Sequence, residues 1–128
     1  MSDQDPDPRP PVWVGHVALR VADVGPSADY WTQLGLRFIT KGDGSAVLEL
    51  RGGTHLVLLP AEEPVPPGTP APFDLMVEDV PATHRHFSEL GLAPSQIRPG
   101  DIHDSFTLRD PSGYDVTVNS SHVSDLPV

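Results

Sequence analysis

Six histidines carry most of the chemistry this sequence can do, since the chain has no cysteine. That absence removes disulfides, zinc thiolate sites and thiol nucleophiles. Histidine exchanges a proton near neutral pH, with an ordinary pKa of about 6.5, and is also the commonest metal ligand. His16 opens the stretch HVALRV, in which His16, Ala18 and Arg20 point one way and Val17, Leu19 and Val21 the other. His55, with Glu49 beside it, and His103 share the side of His16 by the parity of their strands. These four residues admit two chemistries, proton transfer or metal binding, and His16 is the first candidate for the proton. His84 and His86 are two apart on a helix and face different ways, so they are not a chelating pair. His122 follows the last strand and is expected at the surface or at a subunit contact. No phosphate loop, nucleophile elbow or HExxH pattern is present.

The elements that position these side chains come in two copies. From Leu19 to Leu36 and from Leu75 to Leu92 the offset is a constant 56, without a gap. Leu19/Leu75, Val21/Val77, Asp23/Asp79, Val24/Val80, Leu34/Leu90, Gly35/Gly91 and Leu36/Leu92 are identical pairs. This is an internal duplication. Each copy starts with a strand and continues with a helix closed by glycine, Gly35 or Gly91. Ala28, Trp31 and Leu34 recur at helical spacing, as do Phe87 and Leu90. Trp31 and Phe87 therefore read as core between helix and sheet.

Three strand-like segments follow each helix, about 37–41, 45–51 and 54–59 in the first copy and 95–98, 102–109 and 114–119 in the second. Arg51–Gly53 reads as a tight hairpin turn. Asp110-Pro-Ser-Gly113 suits a type I turn with a left-handed glycine, a register that pairs Thr107 with Thr117 and Arg109 with Asp115. Phe106, Leu108, Val116 and Val118 then face the helix. His103, Ser105, Thr107, Thr117 and Asn119 face the other side, with Asp74 of the preceding strand. Asp74 is placed to meet a cationic group or solvent, and Trp13 reads as edge-strand packing.

The expected fold is α+β: two tandem βαβββ modules, 12–59 and 73–121, whose curved mixed sheets surround a concave pocket. Together they make one domain over 12–121. A stiff linker over 60–72, with six prolines, joins the modules, and tails cover 1–11 and 122–128. No run approaches the roughly 18 apolar residues of a membrane span. The first residues lack the apolar segment of a signal peptide, so a cytoplasmic location is expected. Eighteen acidic against eight basic residues give a formal charge of −10. That excludes nucleic acid, which needs a basic footprint, and suits either plain solubility or a cationic ligand.

The duplicated βαβββ pattern, HVALRVADV…YWTQLGL and LRDPSGYDVTV together resemble the vicinal oxygen chelate superfamily. It includes glyoxalase I, extradiol dioxygenases, fosfomycin-resistance transferases and bleomycin-resistance proteins. The resemblance spans about 12–121. It implies metal ligands on the first and last strands of each half, which correspond to His16, Val57, Pro72 and Thr117. Only His16 is a good donor, so the inherited site is missing and no metal or other cofactor is expected. Glu49 in LEL imitates the family's glutamate motif one strand too early.

Two functions follow. The first is a metal-free protein of the bleomycin-resistance type, sequestering a small, basic or aromatic molecule such as an antibiotic. Its pocket would be lined by His16, Arg20, Glu49, His55, Asp74, His103, Ser105, Thr107, Thr117 and Asn119. The second is an isomerase, epimerase or lyase using His16 with Glu49 or Asp74, with or without a site rebuilt from His16, His55, His103 and Glu49. A bare accessory domain with no ligand is a third. The resemblance also implies a homodimer, with modules paired within a chain or swapped.

Overall fold

A computed structural model of the chain describes residues 7–122 and 125–128. Of the two expected tails, residues 1–6 and 123–124 lie outside the described residues. The first module runs β1 (His16–Val21), α1 (Val24–Gln33), β2 (Arg37–Gly42), β3 (Ser45–Glu49), a single 3-10 turn (Arg51–Gly53) and β4 (His55–Pro60). Its sheet has the order β1-β4-β3-β2, with β1 parallel to β4 and the others antiparallel. The second module has β5 (Thr69–Pro70), β6 (Leu75–Val77), α2 (Val80–Glu89), β7 (Ser105–Arg109) and β8 (Tyr114–Ser120). Here β5 and β6 both pair in parallel with one side of β8, and β7 pairs antiparallel with the other. Segment 95–98 follows β7 through two bonded positions, Ser95 N–H to Thr107 and a bridge between Arg98 and Ser105. The result is an α+β fold of two mixed sheets, each with a helix on one face.

The repeated sequence produces repeated geometry. The Gly35 and Leu36 amides donate to the carbonyls of Thr32 and Trp31, and the Gly91 and Leu92 amides to Ser88 and Phe87. Both helices thus end in the same Schellman turn, which requires the positive φ of Gly35 and Gly91. The N-termini differ. Asp79 Oδ1 accepts from the Ala82 amide at 2.9 Å, whereas Asp23 makes no side-chain cap bond.

Alternation fills the core. Leu19, Val21, Leu48, Leu56 and Leu58 bury against Trp31, which is 0% exposed, and Phe106, Leu108, Val116 and Val118 form the matching layer with Phe87. Each large side chain buried this way contributes about 1.5–3 kcal/mol. The expected pairing of Thr107 with Thr117 and Arg109 with Asp115 is present. The expected strand over 102–109 starts only at Ser105, so His103 sits in the turn before it.

The modules meet along a seam built largely by the DPSG turn. Ser112 Oγ accepts from the Ala22 amide at 2.9 Å, and Tyr114 Oη donates to the Arg20 carbonyl at 2.7 Å. Trp31 and Phe73 add a ring contact with centroids 5.7 Å apart. Asp110 is buried in the turn, where its Oδ1 accepts the amides of Ser112, Gly113 and Tyr114. Its Oδ2 has no hydrogen bond, and neither have the buried Trp31 indole N–H, Tyr30 hydroxyl and Ser27 hydroxyl. Trp31 acts on Asp110 electrostatically at a geometry short of a formal hydrogen bond. Burial raises the Asp110 carboxyl above the ordinary carboxylate range, with the three amides opposing it. Burial, and then the charge of Asp110, push the Tyr30 phenol up to about 12. The proline-rich segment is tied to both modules, Ala61 N–H to Val21 and Gly68 N–H to Gly113. No described helix is long and apolar enough to cross a membrane.

Candidate functional site

Register sets the site on the first sheet. Parallel pairing puts His16 beside His55, and antiparallel pairing puts His55 beside Glu49 and Glu49 beside Arg37. Four side chains therefore cross β1, β4, β3 and β2 in one row, on the face away from the helix. They touch. The imidazoles of His16 and His55 lie edge to face with centroids 5.9 Å apart. His55 Nε2 is 3.0 Å from Glu49 Oε2, and Arg37 Nη1 donates to Glu49 Oε1 at 3.1 Å. A carboxylate only accepts, so His55 Nε2 carries the hydrogen and Nδ1 keeps a lone pair when the ring is neutral. Glu49 and His55 are half-buried and Arg37 is exposed. Two residues along β1, β4 and β3, and three along β2 across its bulge, Ala18, Val57, Val47 and Thr40 form a parallel, mainly apolar row.

On the second sheet the polar face carries Asn119 beside Ser105 and Thr117 beside Thr107. Asn119 Nδ2 donates to Asp74 Oδ2 at 2.7 Å, which fixes the amide and leaves Asp74 Oδ1 open. Asp74, Asn119, His103 and His122 line a cleft of about 550 Å³ with Val14, Val17, Leu50, Arg51, Thr54, Phe73 and Met76. His103 Nδ1 donates to the Ser120 carbonyl at 3.0 Å, so its Nε2 holds the lone pair. The His103 and His122 rings are 4.4 Å apart between centroids.

The ten expected lining residues thus fall into groups. His16, His55 and Glu49 are together, and Asp74, Asn119 and His103 are together, but the cleft that holds the second group is lined by none of the first. Ser105, Thr107 and Thr117 share the second sheet's face outside that cleft. Arg20 lies apart. It donates to the Pro60 carbonyl at 3.4 Å and borders a groove along the proline-rich segment with Glu62 and Glu63. His84 is a core-edge group, with Nε2 donating to the Ser95 carbonyl and its ring against Phe106. Trp13 is 69% exposed and borders a hollow with Arg9, Arg51 and Val128.

Arg37, Arg51 and Met76 were not singled out from the sequence. Arg37 was not legible, because a hairpin closing over Asp43 and Gly44 would set it opposite Leu50, and only the register shift between Phe38 and Thr40 brings it opposite Glu49. His122 was expected at the surface or at a subunit contact. It is exposed, yet its ring closes one side of the cleft.

The metal set that the resemblance implies does not fit. Val57 and Pro72 offer no side-chain donor, and Thr117 offers a neutral hydroxyl. No group of three or more His, Asp or Glu among the described residues is close enough to hold an ion, and the Glu49 carboxylate is already engaged by His55 and Arg37.

Comparisons with known proteins agree with this architecture. The family description Glyoxalase/Bleomycin resistance protein/Dioxygenase superfamily matches residues 13–118. No curated protein sequence matches the chain. Among solved structures, a lactoylglutathione lyase from Agrobacterium tumefaciens aligns with TM-score 0.68 and 22% identity, covering 89% of this chain and 97% of that one. TnmS3, an antibiotic binding protein from Streptomyces sp. CB03234, aligns with TM-score 0.72 and 22% identity over 85% and 95%. A glyoxalase/bleomycin resistance protein/dioxygenase from Alicyclobacillus acidocaldarius aligns with TM-score 0.71 and 21% identity over 91% and 96%.

Proposed function

The chain belongs to the glyoxalase/bleomycin resistance protein/dioxygenase superfamily, and on that premise we propose that it is a metal-free small-molecule-binding protein of the bleomycin-resistance type. The observation that carries the reading is the contrast between the polar faces and the inherited metal positions. Each sheet keeps polar groups on the face away from its helix, while three of the four ligand positions hold Val57, Pro72 and Thr117. A face kept polar but stripped of its metal set is suited to hold a molecule by hydrogen bonds and apolar contact. The likeness to TnmS3, an antibiotic binding protein, supports this direction. The formal charge of −10 and the open oxygen of Asp74 favour a basic group on part of the ligand.

Two chains are proposed to assemble as a homodimer in the cytoplasm. Val12, Trp13, Val14, Met76 and Ile102 are large apolar side chains at least half exposed, a surface that association would cover. A second reading, an isomerase, epimerase or lyase, is favoured by one observation, the hydrogen bond between Glu49 and His55 beside His16.

A thermal-shift screen of basic natural products, aromatic antibiotics, and 2-oxo and 2-hydroxy acids tests the binding reading. A ligand at 100 times its dissociation constant stabilises the fold by about 2.7 kcal/mol, a shift of several degrees at this size. Hits on the first sheet are expected to weaken on His16→Ala, hits in the cleft on Asp74→Asn, and both to persist on His84→Ala. Hits indifferent to both substitutions, or no hits across the panel, would overturn it.

A further inference from the structure

The row on the first sheet does not share the negative charge of the whole molecule. Glu49 has no charge to spare for a cation, because Oε1 accepts from Arg37 and Oε2 from His55. Arg37 and Glu49 sum to zero, so the row is neutral with a neutral His55 and positive once that ring takes a proton. The charged and titratable groups facing His55 are Glu49 on β3, Arg37 beyond it on β2 and His16 on β1. Arg51, in the turn after β3, is held by Glu78 of the second module. His55 Nδ1 has no hydrogen bond among the described residues, and the strip of Ala18, Val47 and Val57 lies one row away.

From this geometry we infer that the first sheet takes an apolar ring bearing an acidic hydroxyl, an electron-poor phenol or a stabilised enol that ionises near neutral pH as an imidazole does, with His55 Nδ1 as the acceptor of its proton. The inference rests on the binding reading and narrows the ligand class. On binding, the ligand's O–H bond breaks and an N–H bond forms at Nδ1. The electron pair stays on the ligand oxygen, and nothing is oxidised or reduced. The resulting phenolate lies against an imidazolium that Glu49 stabilises through Nε2–H, with the His16 ring edge to face beside it on β1. Arg37 is a positioning residue, aiming the Glu49 carboxylate along the row. The ring of the ligand covers the apolar strip. A cationic ligand would meet no free acceptor charge here, in contrast to the Asp74 cleft.

Titrating the purified protein with 4-nitrophenol tests this directly, because its phenolate absorbs visible light and the phenol does not. The ether 4-nitroanisole has the same ring without the proton and reports ring binding alone. In wild type, bound 4-nitrophenol is expected to ionise about one pH unit below the free probe, roughly a tenfold excess of phenolate at a given acid pH. His55→Ala, or His55→Gln if the alanine unsettles the strand pair, abolishes that excess while 4-nitroanisole still binds. Glu49→Gln reduces it, and His84→Ala leaves it unchanged. Binding of both probes with no excess phenolate, or an excess that survives both His55 variants, overturns the inference and leaves the binding reading standing. If 4-nitrophenol does not bind while hits from the broader screen do, the inference again fails alone. If nothing binds in either experiment, both fail.

Discussion

Tyr114 Oη donates to the Arg20 carbonyl across the seam, at 2.7 Å, and so ties the strand after the DPSG turn to the first strand of the chain. The ring is nearly buried and the acceptor is backbone, so no side-chain rearrangement of Arg20 can replace the bond. Tyr114→Phe keeps the ring and strands a carbonyl. The expected loss is about 1–2 kcal/mol in urea unfolding, with unchanged secondary structure by circular dichroism. A variant as stable as wild type would mean that the seam does not depend on this bond.

Asp110 makes the same seam sensitive to pH. Its folded-state pKa is raised by burial, so folding favours its protonated form. Its contribution is therefore most favourable at and below the ordinary carboxylate value, and it is lost as pH rises from there through the raised value. Asp110→Asn removes the titration. The amide oxygen can accept the three backbone amides, but the NH2 then faces the Trp31 indole N–H, donor against donor. The variant is expected to be less stable than wild type, by a margin smaller at about pH 7 than at about pH 4. Urea titrations of both proteins at the two pH values measure the margin. A margin that does not change would show that Asp110 titrates alike in both states.

Much of this was legible because the duplication repeats the physics as well as the letters. LGL at 34–36 and at 90–92 predicts one helix ending twice, and the same Schellman turn closes both. DPSG fixes a register, and with it the face of every residue from Ser105 to Asn119. What parity could not supply was the third dimension. It put Arg20 on the side of His16, but four residues along a twisted strand carry Arg20 to the Pro60 carbonyl. It put His103 on a strand, whereas the chain turns at 101–104, and the ring reaches the cleft from that turn through its bond to Ser120. Nor does parity say how two modules dock. The single polar surface expected from the sequence is divided between a row on one sheet and a cleft beside the other.

The exposed apolar side chains lead to a prediction about assembly. Trp13 and Val14 precede β1, Met76 lies on β6, and all three are at least half exposed. Light scattering at micromolar concentration is expected to give twice the chain mass of 13.8 kDa. Trp13→Asp is expected to shift the population toward the single chain, because it puts a charge where association would bury a ring. A wild-type mass near 13.8 kDa would rule the dimer out.

The residues at the family's ligand positions also predict the metal content of the purified protein. With Val57, Pro72 and Thr117 at three of the four family positions, elemental analysis should find no stoichiometric divalent metal. About one Zn, Fe, Mn or Ni per chain, lost on His16→Ala, would show that a site has been rebuilt from residues other than those of the family.

If the polar faces hold a small molecule without a metal, binding survives a chelator. The melting temperature of chelator-treated protein is recorded with and without a hit from the ligand screen. Metal-free binding gives a rise of several degrees at saturating ligand, about 2–3 kcal/mol of stabilisation, unaffected by the chelator and reduced by His16→Ala or Asp74→Asn. A rise that vanishes with the chelator and returns on adding one divalent ion per chain would contradict it.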